Sequence, residues 1–254
     1  MLAVAFEACA CRASFHIGVA EWMAERGVNP SIAAGASSGS IVAAAVRLQK
    51  LPDLRSGWLE MMAERRPFVP SAILKAQWPG RMTHILRDAL VPRHGQIRME
   101  EVPGLRIAVT RLELSGPRPV ILDQHTDARV VDAILGSCFI PGPYSTPVSI
   151  EGHWVVDGGW HWRVPVHAID GPGIAVVSGF PGEILKGWPF GKAVEPEPNI
   201  RVLAPIEELP IDGFTFCEEG SRAAMEIGHR SAERFFRENE AWLTEHIESP
   251  SGLV

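Results

Sequence analysis

A chain of 254 residues, 46% of them hydrophobic, is long enough for one large α/β domain with a buried core or for two small ones, and a single domain spanning 1–254 is expected. The formal charge of -6 argues against nucleic acid as the main partner, because duplex binding needs concentrated Lys and Arg. Cys9, Cys11, Cys138 and Cys217 form no C-x-x-C pair, and Cys9-x-Cys11 has no His or Cys at the usual metal-site spacing, so reduced thiols, no metal and a cytoplasmic setting are expected.

Leu2 to Phe6 reads as a short, wholly buried strand. It lacks a basic flank and meets Glu7 early, which makes it a poor signal peptide. A small-residue turn, Glu7 to Ser14, leads into a helix to Arg26, with Phe15, Val19, Trp22 and Met23 on one face and Gly27 as a left-handed cap. Val28 to Ala34 returns as a second strand. The run from Ile32 to Val46 is too short, and too rich in Gly and Ser, to span a bilayer.

Gly35-Ala36-Ser37-Ser38-Gly39 follows that strand and precedes a stretch of helix formers, Ile41 to Leu48. A G-x-S-x-G sequence there forces the serine into a tight strand-to-helix corner with its hydroxyl projecting into a cleft. Ser37 is therefore a candidate nucleophile, against the plainer reading of a small-residue packing turn. A strand-helix-strand-helix opening implies parallel strands joined by a right-handed crossover, which places both turns at the carboxyl edge where ligands bind.

From Leu51 to Pro103 the pattern is short helical pieces broken by prolines, read as an inserted helical lid or cap. Between Arg65 and Arg98 it carries seven cationic side chains against one acidic, Asp88, which suits either a solvated helical surface or contact with an anionic interface. Strands follow over Leu105–Leu112 and Pro119–Leu122, then a helix capped by Asp127. Pro147–Ile150 and His153–Val156 form a hairpin about Glu151-Gly152, ending at Asp157-Gly158-Gly159. Gly173–Ser178 and Asn199–Leu203 add core strands, and a helix with an acidic outer face runs from Phe216 to about Ile247.

A serine hydroxyl at neutral pH needs a base to take its proton and N–H groups to hold the oxyanion. Asp157, at a strand end before two glycines, can supply the base, although Asp-Gly-Gly taken alone is more often a turn. His161 and His167 follow in an order that also permits a Ser-His-Asp triad. Trp160, Trp162 and Trp78 are candidates for an aromatic wall against an acyl chain, or for core packing.

Arg12, His16-Ile17-Gly18-Val19, Gly35 to Ser40, Ile140-Pro141-Gly142 and Val156-Asp157-Gly158-Gly159, in this order, resemble the patatin-like phospholipases over most of the chain. The resemblance implies a three-layer α/β/α fold with a mostly parallel sheet and a cofactor-free lipid acyl hydrolase using a Ser37–Asp157 dyad. Its substrate would be a lipid or other acyl ester, with peripheral membrane contact. The family's glycine-rich G-G-G-x-R-G oxyanion loop aligns with Ala8-Cys9-Ala10-Cys11-Arg12-Ala13, which makes the Cys9 and Ala10 N–H groups the implied donors and Arg12 the implied loop-positioning or anion-binding residue. Arg12 is kept and the glycines are not. If the loop needs positive φ at Cys9 or Ala10, an L-residue there costs on the order of 1 to 2 kcal/mol, and a lipid-binding or scaffold protein with a degraded site is the reading of a different class.

Overall fold

The structure, a computed structural model, describes residues 2–63, 81–144, 146–179 and 199–246. β1 (Ala3–Phe6), α1 (Ala13–Glu25), β2 (Ile32–Ala36) and α2 (Ser38–Arg47) make the opening unit. The two strands pair in parallel, Ala3 opposite Ile32 and Phe6 opposite Gly35. β1 is buried throughout, as suits a strand covered on both faces. There follow α3 (Leu51–Ala63), α4 (Arg81–His94), β3 (Leu105–Glu113), β4 (Gly116–Leu122), α5 (Val130–Cys138), β5 (Val148–Ile150), β6 (His153–Asp157), β7 (Gly173–Val176), β8 (Ile200–Leu203), α6 (Glu218–Glu238) and α7 (Glu240–His246).

One mixed sheet runs in the order β5-β6-β3-β2-β1-β7-β8, with β4 also on β3. Its centre is parallel, from β3 through β2, β1 and β7 to β8, while β4, β5 and β6 pair antiparallel. Strand alternation divides the core. Val4, Phe6, Ala33, Ile107 and Ile174 pack with α1, α2, α5 and α6, whereas Ala3, Ala5, Ala34 and Ala175 face Val164, Val166, Ala168 and Ile169. The alanines on this second face let a short irregular segment lie close against the sheet. Leu54, Trp58, Met62, Leu86 and Leu90 of α3 and α4 join the first of these cores. Residues 64–80 of the segment read as a lid, with Arg65, Arg66, Lys75 and Trp78, lie outside the described residues.

Two expected boundaries are corrected. Asp127 does not cap α5: the helix begins at Val130 behind Arg129, and the Asp127 carboxylate pairs with Arg98 while its N–H donates to Glu151 Oε1 at 3.2 Å. The last helix is two helices, because the Asn239 side-chain amide donates to Phe235 O at 2.8 Å and its backbone leaves the helical region. No helix among the described residues is long and apolar enough to cross a membrane.

Candidate active site

Ser37 joins β2 to α2 with φ 51 and ψ -130, a conformation that side chains other than glycine rarely adopt. Its two flanking glycines explain how the chain passes. A Cβ on Gly35 would lie 2.3 Å from Gly39 O, and one on Gly39 would lie 2.4 Å from Phe6 O and 2.6 Å from Glu7 O. Backbone therefore packs directly on backbone, and the elbow leaves Ser37 half-buried at the N-terminus of α2.

Asp157 comes to the same place through the register of β3. β2 ends with Ala36 opposite Ala108, and β6 runs the other way and ends with Asp157 opposite Val109. Because β4 occupies the other side of β3 over both stretches, the carboxyl ends of β2 and β6 meet end to end along one edge of that strand. Asp157 is buried; its Oδ1 accepts from Gly159 N–H at 2.7 Å, and Oδ2 has no hydrogen-bond partner among the described residues. Burial pushes its pKa up to about 6, and the Ser37 side chain and then the Gly159 N–H act in the opposite direction.

The loop ahead of α1 passes over the elbow. Cys9 N–H donates to Ser38 Oγ at 3.3 Å, whereas Ala10 N–H has no partner among the described residues. Ala10 stands at φ 50, so a position that favours glycine is held by an L-residue; Cys9, at φ -143, needs no glycine. Arg12 donates through Nε to Ile211 O at 3.4 Å and lines a cleft of about 340 Å³ with Ser178, Pro205, Glu207 and Leu209.

Beneath that loop lies a buried group that sequence spacing alone did not bring out. Cys9 Sγ is 3.7 Å from His16 Nδ1, and His16 Nε2 is 4.0 Å from Glu7 Oε2. These are metal-ligand residue types within 4.8 Å of one another. The Glu7 carboxylate, however, is committed to Arg163 Nε at 2.6 Å and to the Ser178 N–H at 2.5 Å, and a cation there would face the guanidinium. Burial lowers the His16 pKa to about 3, so the ring is neutral, and burial pushes the Cys9 thiol well up. The group is a neutral packing network around one ion pair, and it ties the loop to the segment after Asp157, where Ala8 N–H also donates to Arg163 O at 2.7 Å. The signal available in the sequence was Glu7 itself, a carboxylate closing an otherwise apolar strand.

His161 Nδ1 lies 3.1 Å from Thr110 Oγ1, whose hydroxyl donates to Asp157 O at 3.0 Å, so the ring is joined to the backbone of Asp157 and not to its carboxylate. His167 is exposed and its ring sits 5.9 Å from that of Trp162. Trp160 and Trp162 are partly buried.

Ser37 in a strained strand-to-helix corner and Asp157 at a neighbouring strand end both stand at the carboxyl edge of a mostly parallel sheet, an arrangement of the α/β class. The model of the patatin-like phospholipases matches residues 4–170, and the chain belongs to that family. Among solved structures it is similar to VipD from Legionella pneumophila, at 10% identity and a TM-score of 0.51, over 93% of this chain and 66% of that one. The type III effector protein ExoU is 13% identical with a TM-score of 0.46, over 94% of this chain and 53% of that one. The chain thus spans just under two-thirds of VipD and about half of ExoU. No curated protein matches it in sequence.

Proposed function

We propose that the chain is a lipid acyl hydrolase that cleaves carboxylic esters through Ser37 and Asp157 without a cofactor. The observation that carries this reading is the end-to-end meeting of β2 and β6 on Ala108 and Val109, at which a serine in a strained elbow and a buried carboxylate, one oxygen of it without a partner among the described residues, share one edge of β3. Asp157 takes the proton of Ser37 as Oγ attacks the acyl carbonyl, and returns it to the leaving alcohol as the acyl-enzyme forms. Water then repeats the sequence with the acyl-enzyme. The oxyanion is received by backbone N–H groups of the Cys9–Ala10 turn, Ala10 with a donor that has no partner among the described residues and Cys9 after release of a long bond to Ser38. Membership of the phospholipase family supports a lipid ester as substrate and contact with a lipid surface.

A binding protein with an impaired site is the competing reading, favoured by the left-handed Ala10. Hydrolysis of short and long acyl esters separates the two. Ser37→Ala and Asp157→Asn should each abolish turnover while the protein stays folded, and chelator should leave the rate of the parent unchanged. Undiminished turnover by either variant sinks the dyad.

A further inference from the structure

Ser137, in the last turn of α5, is completely buried, and no sequence pattern marks it. Its hydroxyl donates to Ala108 O at 2.6 Å and accepts the Ser37 N–H at 2.8 Å. Both partners belong to the site. The Ser37 amide comes directly after the last residue of β2, and Ala108 is the β3 residue opposite that last residue. The same carbonyl is the close neighbour of Gly158, where a Cβ would come within 2.1 Å of Ala108 O. Two residues after Ser137, the carbonyl of Phe139 accepts the Asp157 N–H at 2.9 Å. A three-residue stretch at the end of α5 thus grips the serine through a side chain and the aspartate through its backbone, with β3 between them.

Resting on the hydrolase reading above, we propose that Ser137 is a positioning residue for the reaction: its hydroxyl pins the Ser37 elbow to β3 and fixes the spacing between the Ser37 hydroxyl and Asp157. Without it the half-buried Ser37 N–H loses its partner and the strained dihedral loses its restraint. Displacement of a reacting group by about 1 Å costs on the order of 100-fold in rate.

A buried serine elsewhere in the chain supplies the control. Ser231 makes the same two bonds, donating to Ile227 O at 2.7 Å and accepting Ile206 N–H at 3.2 Å, in α6 and outside the site. Ser137→Ala and Ser231→Ala should destabilise the fold comparably. Only Ser137→Ala should lower kcat, by about 10- to 100-fold with KM within about twofold, and Ser137→Cys, a weaker donor of similar size, should fall between. The acid limb of the rate profile should also move to higher pH in Ser137→Ala, because the Ser37 side chain that holds the Asp157 pKa down is displaced. Among the described residues, Cys138 and Tyr144 beside Asp157 are kept neutral by burial, and burial also lowers the pKa of His161, which reaches the Asp157 backbone through Thr110.

Amide hydrogen exchange at Ser37 reads the clamp without any turnover. It should be slow in the parent and in Ser231→Ala, and at least tenfold faster in Ser137→Ala. If Ser137→Ala does not fold, Ser137→Cys carries both comparisons. Equal kcat in Ser137→Ala and Ser231→Ala, or unchanged Ser37 exchange, overturns the positioning role while leaving the hydrolase reading intact. A parent that hydrolyses no ester overturns the hydrolase reading and this role with it.

Discussion

Replacing Ala10 with glycine tests the most unusual feature of the loop. Ala10 is held at φ 50, where the Cβ of an L-residue costs on the order of 1 to 2 kcal/mol. Glycine removes that strain but adds unfolded-state freedom worth about 0.4 to 1 kcal/mol. The net gain is then on the order of 0.5 to 1 kcal/mol, which in a chain of this size raises Tm by roughly 1 to 4 °C. Cys9→Gly should do the reverse. Its backbone needs no glycine, and its buried side chain packs on His16 and Ser38, so the loss is on the order of 2 kcal/mol. Thermal melting and urea unfolding of the two single variants measure both signs. Turnover on a short acyl ester measures the loop: if the Ala10 Cβ holds the N–H away from its best geometry, Ala10→Gly raises kcat with little effect on KM, because the gain is confined to the transition state. An Ala10→Gly protein that melts at or below the parent refutes the strain argument, and one that is stable but no faster refutes the impaired loop.

Gly39→Ala places a Cβ 2.4 Å from Phe6 O and 2.6 Å from Glu7 O, so β1 or α2 must shift; a loss of about 3 kcal/mol in urea unfolding, with turnover abolished, is expected. Only ionised Asp157 accepts a proton, so kcat/KM should rise with pH through about 6; a rate flat from pH 5 to 7 contradicts that assignment. The linkage has a definite sign. The folded value of about 6 lies above the ordinary 3.8, so the stability contributed by this group is fully present below about pH 4 and is lost as pH rises through about 6, a slope that Asp157→Asn should lack. Arg163→Met strips the buried Glu7 carboxylate of its cation and should cost about 3 kcal/mol in chemical denaturation; a change within 0.5 kcal/mol, roughly the scatter of surface substitutions, would mean that Glu7 is held by Ser178 alone.

Much of the fold was legible because its signals are local. Wholly apolar Ala3–Phe6, the Gly27 cap, the Glu151-Gly152 turn and the glycine-flanked Ser37 each declare themselves within a few residues, and Glu151 and Gly152 do both take positive φ. What stayed hidden depends on register. That Asp157 lands beside the end of β2 follows from Ala36 and Asp157 facing consecutive residues of β3, which no spacing along the chain encodes. Ser137 lies 100 residues from Ser37 and Arg163 well over a hundred from Glu7, and both act through single hydrogen bonds or ion pairs. The misread caps have a different cause: Asp127 and Asn239 have side chains that serve caps, turns and long-range pairs alike, and tertiary partners decided between them.

Covalent labelling by a fluorophosphonate probe, mapped by peptide mass, tests the central claim most directly. A native site with an activated serine should carry one adduct, on Ser37, in the parent; Ser37→Ala should carry none, and Asp157→Asn should label on the order of 100-fold more slowly at pH 7. An adduct on another residue, or undiminished labelling of Asp157→Asn, would contradict the account.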